Sequence, residues 1–431
     1  MSLHVILATL GSSGDVNPFI AIGRAMVARG HRATLVTNPH FETAAREAGL
    51  DFAPIRAQED YVRITKDPDL WHPRRGLQVL CREVIVPGIA PTHETIERLN
   101  TPGQTVVLAH GLAFGARIAH ETSGVPLVTL FPGPLAVRSL IDPPHVPFCG
   151  TARRLGSVGM RFAYRVGDFL IDRVVLKPTN AFRRSFGLPP VRRLMRDWWM
   201  SPQRVIGVWP DWFAPPQPDW YDKIRVTGFV YHDTPHALAD TGQAEAIFSA
   251  GQAPVLFTPG TAMRHGRDFF AAAAEACRLI GRPGVLLTPF AEQIPDRLPD
   301  GVVHLPFLPF GTYLPRAGAI VHHGGVGTVA QAMSAGIPQV VRPMGYDQFD
   351  NGHRVERLGV GVSIRRSRFR ARRVAEVLDG LLSSRHVAER CRDLASRIQP
   401  GTGAQRACEA IEGTAGVLGV PTQHVAPVFN R

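Results

Sequence analysis

The strongest constraint on the fold is an alternation that runs the length of the chain. Short apolar runs, each suited to one buried strand, take turns with segments long enough for a helix. HVILATL, RATLVT, TVVLAH and VPLVTLF occupy the first half; PVLFTPG, GVLLTPF, VVHLPFL, GAIVHHG and PQVVRP occupy the second. Strands this apolar need cover on both faces, and helical stretches near 18–29, 114–121, 268–280 and 328–335 can supply it, which is the α/β pattern. A chain of 431 residues exceeds one ordinary core. The expectation is therefore two doubly wound, Rossmann-like domains, over residues 1–235 and 253–412, facing a central cleft. Residues 236–252, in the composition shift after RVTGFV, read as the linker, and 413–431 as an irregular tail. In such sheets ligands bind outside the carboxyl ends of the strands.

Several classes fall away on composition. Residues 317–341 carry no charged side chain and could span a bilayer by length. They also contain His322, His323, Gly324, Gly325, Gly327, Gln331 and Pro338, which argue for strand, loop, helix and strand instead. Residues 3–10 are apolar but short, lack a basic flank and run into a Gly-Ser turn, so they read as a first strand rather than a leader. The five cysteines are scattered without a C-x-x-C pair, as expected of free thiols in the cytoplasm. A net charge of +12 admits nucleic acid, an anionic membrane or acidic ligands as partners. No nucleic-acid motif accompanies it. The excess is densest over 153–196, where arginines interleave with apolar residues in GMRFAYRVGDFLIDRVVL. A solvated helix face is the bland reading; peripheral contact with the inner, anionic face of a membrane is the sharper one.

The chemistry concentrates in His322-His323-Gly324-Gly325-Val326-Gly327-Thr328, between the strand GAIV and a helix. Successive glycines let backbone approach an anion, and helix N-terminal amides point at it. His322 and Thr328 can add side-chain donors. A tight glycine turn with two loop histidines is the plain alternative. Adjacent histidines point apart on extended backbone, and no carboxylate lies at ligand spacing, so no metal is expected. The Asp-x-Asp at Asp67–Asp69 lies in a proline-bearing loop and reads as a turn. One helix and one strand after the glycine turn comes MGYDQFDN, where Asp347 and Gln348 pair an acceptor with an amide, as a sugar's vicinal hydroxyls require.

Together these motifs resemble the nucleotide-sugar signature of GT-B glycosyltransferases that act on natural products, sterols and lipids. The resemblance covers nearly the whole chain. It implies a GT-B fold, with HHGGVGT as the diphosphate loop (Gly325, Gly327 and Thr328 included) and MGYDQFDN as the sugar loop. It puts Phe307 at the aromatic that stacks on the base, with Leu308 beside it, and Gly260-Thr261 at a second phosphate-touching loop. GSSGDVNPFIAIGRAMVARGH is similar to the family's opening strand, loop and helix, with Asp15 at the place of the general base; capping that helix is the alternative role. His110 ends a strand where many relatives carry a carboxylate, to orient Asp15, to act as base, or only to pack. Within the family, DPDLWHP, GLAFGARIAHE, SPQRVIGVWPDWFAPPQPDW and VTGFVYHD are similar to runs in the chain-B rhamnosyltransferases of rhamnolipid synthesis.

The resemblance implies an inverting, metal-independent hexosyltransferase that needs no cofactor. Its donor would be a nucleotide sugar, dTDP-L-rhamnose on the narrow reading, and its acceptor the hydroxyl of a 3-hydroxyacyl lipid. An acceptor-synthesising enzyme would then be a natural partner. The Trp-rich stretches at Trp71, Trp198, Trp199, Trp209, Trp212 and Trp220 would line the acceptor site. The alternatives are a sterol or polyketide glycosyltransferase using a UDP- or dTDP-sugar, a nucleotide-sugar epimerase of the same fold, and an inactive auxiliary subunit.

Overall fold

The computed structural model describes residues 2–72, 75–232 and 241–416. The chain divides into two compact units, residues 1–230 with 401–431, and residues 231–400. Each is built on a wholly parallel sheet, giving the α/β, GT-B architecture.

The first sheet holds β1 (His4–Ala8), β2 (Arg32–Thr37), β3 (Asp51–Pro54), β4 (Thr105–His110), β5 (Leu127–Phe131), β6 (Arg204–Gly207) and β7 (Ile224–Val226), in the order β3-β2-β1-β4-β5-β6-β7. Every residue of β1, β4 and β5 is buried, as apolar strands covered on both faces must be. Helix α1 (Ser13–Ala28) follows β1 and places Val16, Phe19, Ile20 and Met26 against the sheet. A long helix, α2 (Gly156–Arg184), lies between β5 and β6 in sequence.

The second sheet holds β8 (Val255–Thr258), β9 (Gly284–Leu287), β10 (Val302–Leu305), β11 (Ala319–His322), β12 (Gln339–Val341) and β13 (Gly361–Ser363), ordered β10-β9-β8-β11-β12-β13. Helix α3 (Val326–Ser334) joins β11 to β12, and α4 (Gln348–Arg357) joins β12 to β13. In both sheets the strand order reverses direction once, between β1 and β4 and between β8 and β11. Those reversals open a crevice at the strands' carboxyl ends.

The expected domain boundaries need correcting. Of the linker, 236–240 lies outside the described residues, while Thr241–Phe248 is a helix whose Ala244 and Ile247 join the core of the second unit. The last helix, α5 (Thr402–Ala415), was expected to close the second domain at 412. It packs instead in the first, where Ala407, Cys408, Ile411 and Ala415 meet α1 and the first sheet. Glu412 fastens it with paired hydrogen bonds from Arg29, 2.7 Å each, and a contact to His31 at 3.0 Å. The Arg29 hydrogen bonds, ahead of His31, pull the Glu412 carboxyl down to about 2. Of the tail, 413–415 is thus helical; 417–431 lies outside the described residues.

Among the described residues, no helix is long and apolar enough to cross a membrane. All five cysteines are buried free thiols.

Candidate active site

In the first unit, the reversal point brings together Asp15 and His110. Asp15 sits in the first turn of α1, one loop after β1, and His110 is the last residue of β4. One carboxylate oxygen of Asp15, Oδ2, accepts the backbone N–H of Ser12 at 2.8 Å and its hydroxyl at 3.1 Å. The other, Oδ1, lies 3.7 Å from His110 Nε2. One oxygen of this side chain therefore ties the helix start, and the other faces the histidine. Gly11 makes the seat possible, because at φ +128° a Cβ there would stand 2.3 Å from Oδ2.

His110 Nδ1 accepts the Leu112 backbone N–H at 3.3 Å, which leaves the Nε2 proton directed towards the carboxylate. Burial lowers the imidazole pKa, and the Asp15 charge opposes that shift. A neutral imidazole beside a half-exposed carboxylate can orient it or share its proton.

In the second unit, the reversal point carries the glycine turn. The residues expected to hold a nucleotide lie around it, and its two histidines sit in different surroundings. His322 is fully buried in register with Thr258; its Nε2 faces Gln339 Oε1 at 3.0 Å, and its Nδ1 accepts the Gly324 N–H at 3.1 Å. Both ring nitrogens are committed to shaping the turn, so His322 has no donor left for a phosphate. His323 is half-buried with Nδ1 unpaired, and its ring lies against Gly260 and Gly325. Gly260, at φ +97°, would put a Cβ 2.8 Å from that ring, so the loop after β8 and the turn after β11 fit together only as built. Burial pushes His322 down to about 3 and His323 to about 4, so both rings are neutral at physiological pH.

Helix α3 starts at this turn with no side chain capping it. Gly327 and Thr328 lie in its first turn, Thr328 half-buried and Gly327 with open space where a side chain would be. Thr261 is exposed beside Gly260. Phe307 is half-buried after β10 and can present a ring face. The Leu308 side chain is buried in the core with Leu305 and Tyr313, so only its backbone is left to meet a nucleotide.

The loop expected to hold the sugar is tied to the turn by Asn351, a residue not singled out from sequence. Asn351 Nδ2 donates to Gly324 O at 2.9 Å and to Asp347 Oδ2 at 2.8 Å, while its own Oδ1 is buried without a partner. The signal was available, since Asp347 and Asn351 stand one helical turn apart. Gln348 is nearly fully buried, and its Oε1 accepts the Met344 and Gly345 N–H groups at 2.8 and 3.2 Å. Tyr346 holds φ +54°, a left-handed conformation uncommon for a bulky residue and frequent where function over-determines a loop.

Other candidates dissolve into structure. Asp67 accepts the Asp69 N–H at 2.8 Å and Asp69 pairs with Arg75, so that Asp-x-Asp is a turn. Trp209 is wholly buried, Trp198 is buried with its indole N–H on Glu121, and Trp199 packs on Phe131 at 5.0 Å. These three tryptophans build the first core instead of an open acceptor surface. Part of the arginine belt is likewise internal: buried Arg183 pairs with Glu121.

Two parallel sheets, each with polar groups gathered at its reversal point, are the framework of a GT-B transferase. Residues 5–140 match the glycosyltransferase family 28 N-terminal domain, and residues 285–407 match the erythromycin biosynthesis protein CIII-like C-terminal domain. The chain is a nucleotide-sugar glycosyltransferase of this family 28, erythromycin-CIII-like type. It is 26% identical to the O-mycaminosyltylonolide 6-deoxyallosyltransferase of Streptomyces fradiae, over 95% of this chain and 97% of the relative. It is 29% identical to glycosyltransferase GtfC of Amycolatopsis orientalis, over 84% and 86% of the two chains. A sterol 3-beta-glucosyltransferase of Aspergillus fumigatus is 25% identical over 95% of this chain, which spans 30% of that longer protein. Among solved structures, the glycotransferase of kitacinnamycin superposes with a TM-score of 0.73 at 21% identity, covering 96% of this chain and 99% of that one. The spinosyn rhamnosyltransferase SpnG complexed with thymidine diphosphate gives 0.65 at 17%, covering 95% and 100%.

Proposed function

We propose that this enzyme transfers a sugar from a nucleoside diphosphate donor to a hydroxyl of a large apolar acceptor of the polyketide or sterol kind, inverting the anomeric carbon without a metal. The observation that carries the reading is the uncapped start of α3, with half-buried His323 and Thr328 at its mouth and Asn351 joining it to the Asp347 loop. Helix amides and neutral donors can stabilise the charge that grows on the departing diphosphate. His323, not His322, supplies the imidazole. Asp347 and the NH2 end of Gln348 face the sugar, and Phe307 stacks on the base. Asp15 removes the acceptor proton as the new C–O bond forms, worth about 10²–10⁴-fold in rate, with His110 holding the carboxylate in its reactive orientation.

The acceptor class follows the relatives' printed names, a tylonolide and sterols, and supports the sterol or polyketide alternative over the rhamnolipid reading. None of the relatives named above is a rhamnolipid enzyme, and three of the six tryptophans invoked for a lipid pocket are core. The deciding experiment screens thymidine and uridine diphosphates by thermal shift, then offers the matching dTDP- and UDP-sugars, dTDP-L-rhamnose included, with a macrolide aglycone, a sterol and a 3-hydroxyacyl ester. Product on the aglycone or sterol with inverted anomeric configuration is expected, unchanged by chelator. Product on the hydroxyacyl ester alone would restore the lipid reading, and loss of turnover in chelator, recovered with Mg²⁺, would end the metal-free one.

A further inference from the structure

Helix α2 presents to solvent a face of unusual chemistry. Its inner side is accounted for: Met160 is buried with Val146 and Cys149, Ala163 and Tyr164 pack against that cluster, the Tyr164 hydroxyl donates to Ser139 O at 2.7 Å, and Asp168 pairs with Arg138. The opposite side carries Val158, Phe162, Val166 and Phe169, exposed by 78, 68, 41 and 64%. At about 100° per residue these four fall within an arc of about 80°, one continuous apolar stripe down the helix. Single exposed apolar residues are ordinary; a stripe with two phenylalanines is not.

Its charges select a partner. Arg161 and Arg165 are exposed along one edge of the stripe, and exposed Arg173 continues its line. The only acids between 150 and 184, Asp168 and Asp172, are half-buried and engaged, one paired with Arg138 and the other accepting the Met195 N–H. A second copy of this chain would bring the same arginines face to face, in a protein whose net charge is already +12. Headgroup phosphates are complementary to those arginines, and acyl chains to the phenylalanines.

We propose that the outer face of α2 is a membrane-docking surface that seats the enzyme on an anionic bilayer, Phe162 and Phe169 entering the acyl boundary and Arg161 and Arg165 binding phosphates. The enzyme then works where an apolar acceptor is dissolved. This docking does not depend on which acceptor is used.

The test is vesicle flotation of the full chain with phosphatidylcholine alone and with phosphatidylcholine containing phosphatidylglycerol. Flotation only with the anionic vesicles is expected, weakened by salt. Phe162→Glu/Phe169→Glu and Arg161→Glu/Arg165→Glu should each reduce it by about tenfold or more, since one arginine near an anionic surface is worth roughly a fivefold change in binding. Both variants should keep the unfolding temperature and the thermal shift with nucleoside diphosphate, because the altered side chains are exposed. No flotation of the wild type, equal flotation of the variants, or sedimentation as a dimer that the phenylalanine variant dissociates would each overturn the proposal.

Discussion

Replacing Asp15 by Asn separates the two jobs its carboxylate holds. The amide oxygen can still accept the Ser12 N–H now bonded at 2.8 Å, so the start of α1 should survive. What is lost structurally is a negative charge in the first helical turn, worth about 0.3–1 kcal/mol. An unfolding temperature lowered by no more than about 2–4 °C is expected for a unit of this size. What is lost chemically is the carboxylate proposed to take the acceptor's proton. If Oδ1, 3.7 Å from His110, is the base, turnover should fall by about 10²–10⁴-fold, a barrier increase of roughly 3–5 kcal/mol. The assay pairs initial transfer rates at saturating donor with a titration of nucleoside diphosphate, which should bind as before. Asp15→Ala serves as the contrast, losing the tie to Ser12 as well. A variant with Asn that keeps more than about a tenth of the wild-type rate would refute the reasoning and pass the role to His110.

His322→Ala should destabilise the protein by about 2–4 kcal/mol, since it strands Gln339 and the Gly324 amide in a buried site, with calorimetry as the measurement. His323→Ala should cost little stability yet weaken nucleoside diphosphate by about 10–100-fold with free nucleoside unaffected, as loss of one hydrogen bond to a charged group would do. Stability should also decline on acidification. His120, His322 and His323 are held near 4, 3 and 4 by burial, so the unfolded chain takes up their protons first as pH drops below about 6.5, costing up to about 1.4 kcal/mol per pH unit for each. Their contribution is fully present above pH 6.5 and lost progressively towards pH 4; a denaturation midpoint that stays flat over that window would contradict it. Deleting residues 401–431 should broaden and lower the unfolding of the first unit while leaving that of the second in place, because Cys408 and Ile411 leave its core.

The parts of the site that could be read from sequence are those fixed by local chemistry. A glycine run between an apolar strand and a helix announces the turn at which α3 starts, and the alternation of runs announces two parallel sheets. That His322 is fully buried while His323 stays half-buried was not readable. Neighbouring residues on a strand end point to opposite sides, and which side holds Gln339 depends on the pairing of β11 with β12. Leu308 and Phe307 differ for a similar reason. Tryptophan composition cannot distinguish a pocket wall from a core, and only packing showed Trp209 to be the latter. The return of α5 was the least visible feature. Its contact with α1 joins Cys408 to Ile22 across 386 residues, and no local pattern announces a partner that far away.

That return has a consequence during synthesis. The first half of the chain leaves the ribosome with the sheet of its own unit complete but the side of α1 that receives α5 uncovered. It must wait while the whole second unit is translated, on the order of ten seconds or more at about 5–20 residues per second. Through that interval the apolar residues of α1 and the first sheet lack the cover that Ala407, Cys408, Ile411 and Ala415 give them in the finished fold. The final turns of α5 act as a latch, and the Arg29–Glu412 pair closes only after the second unit has been made.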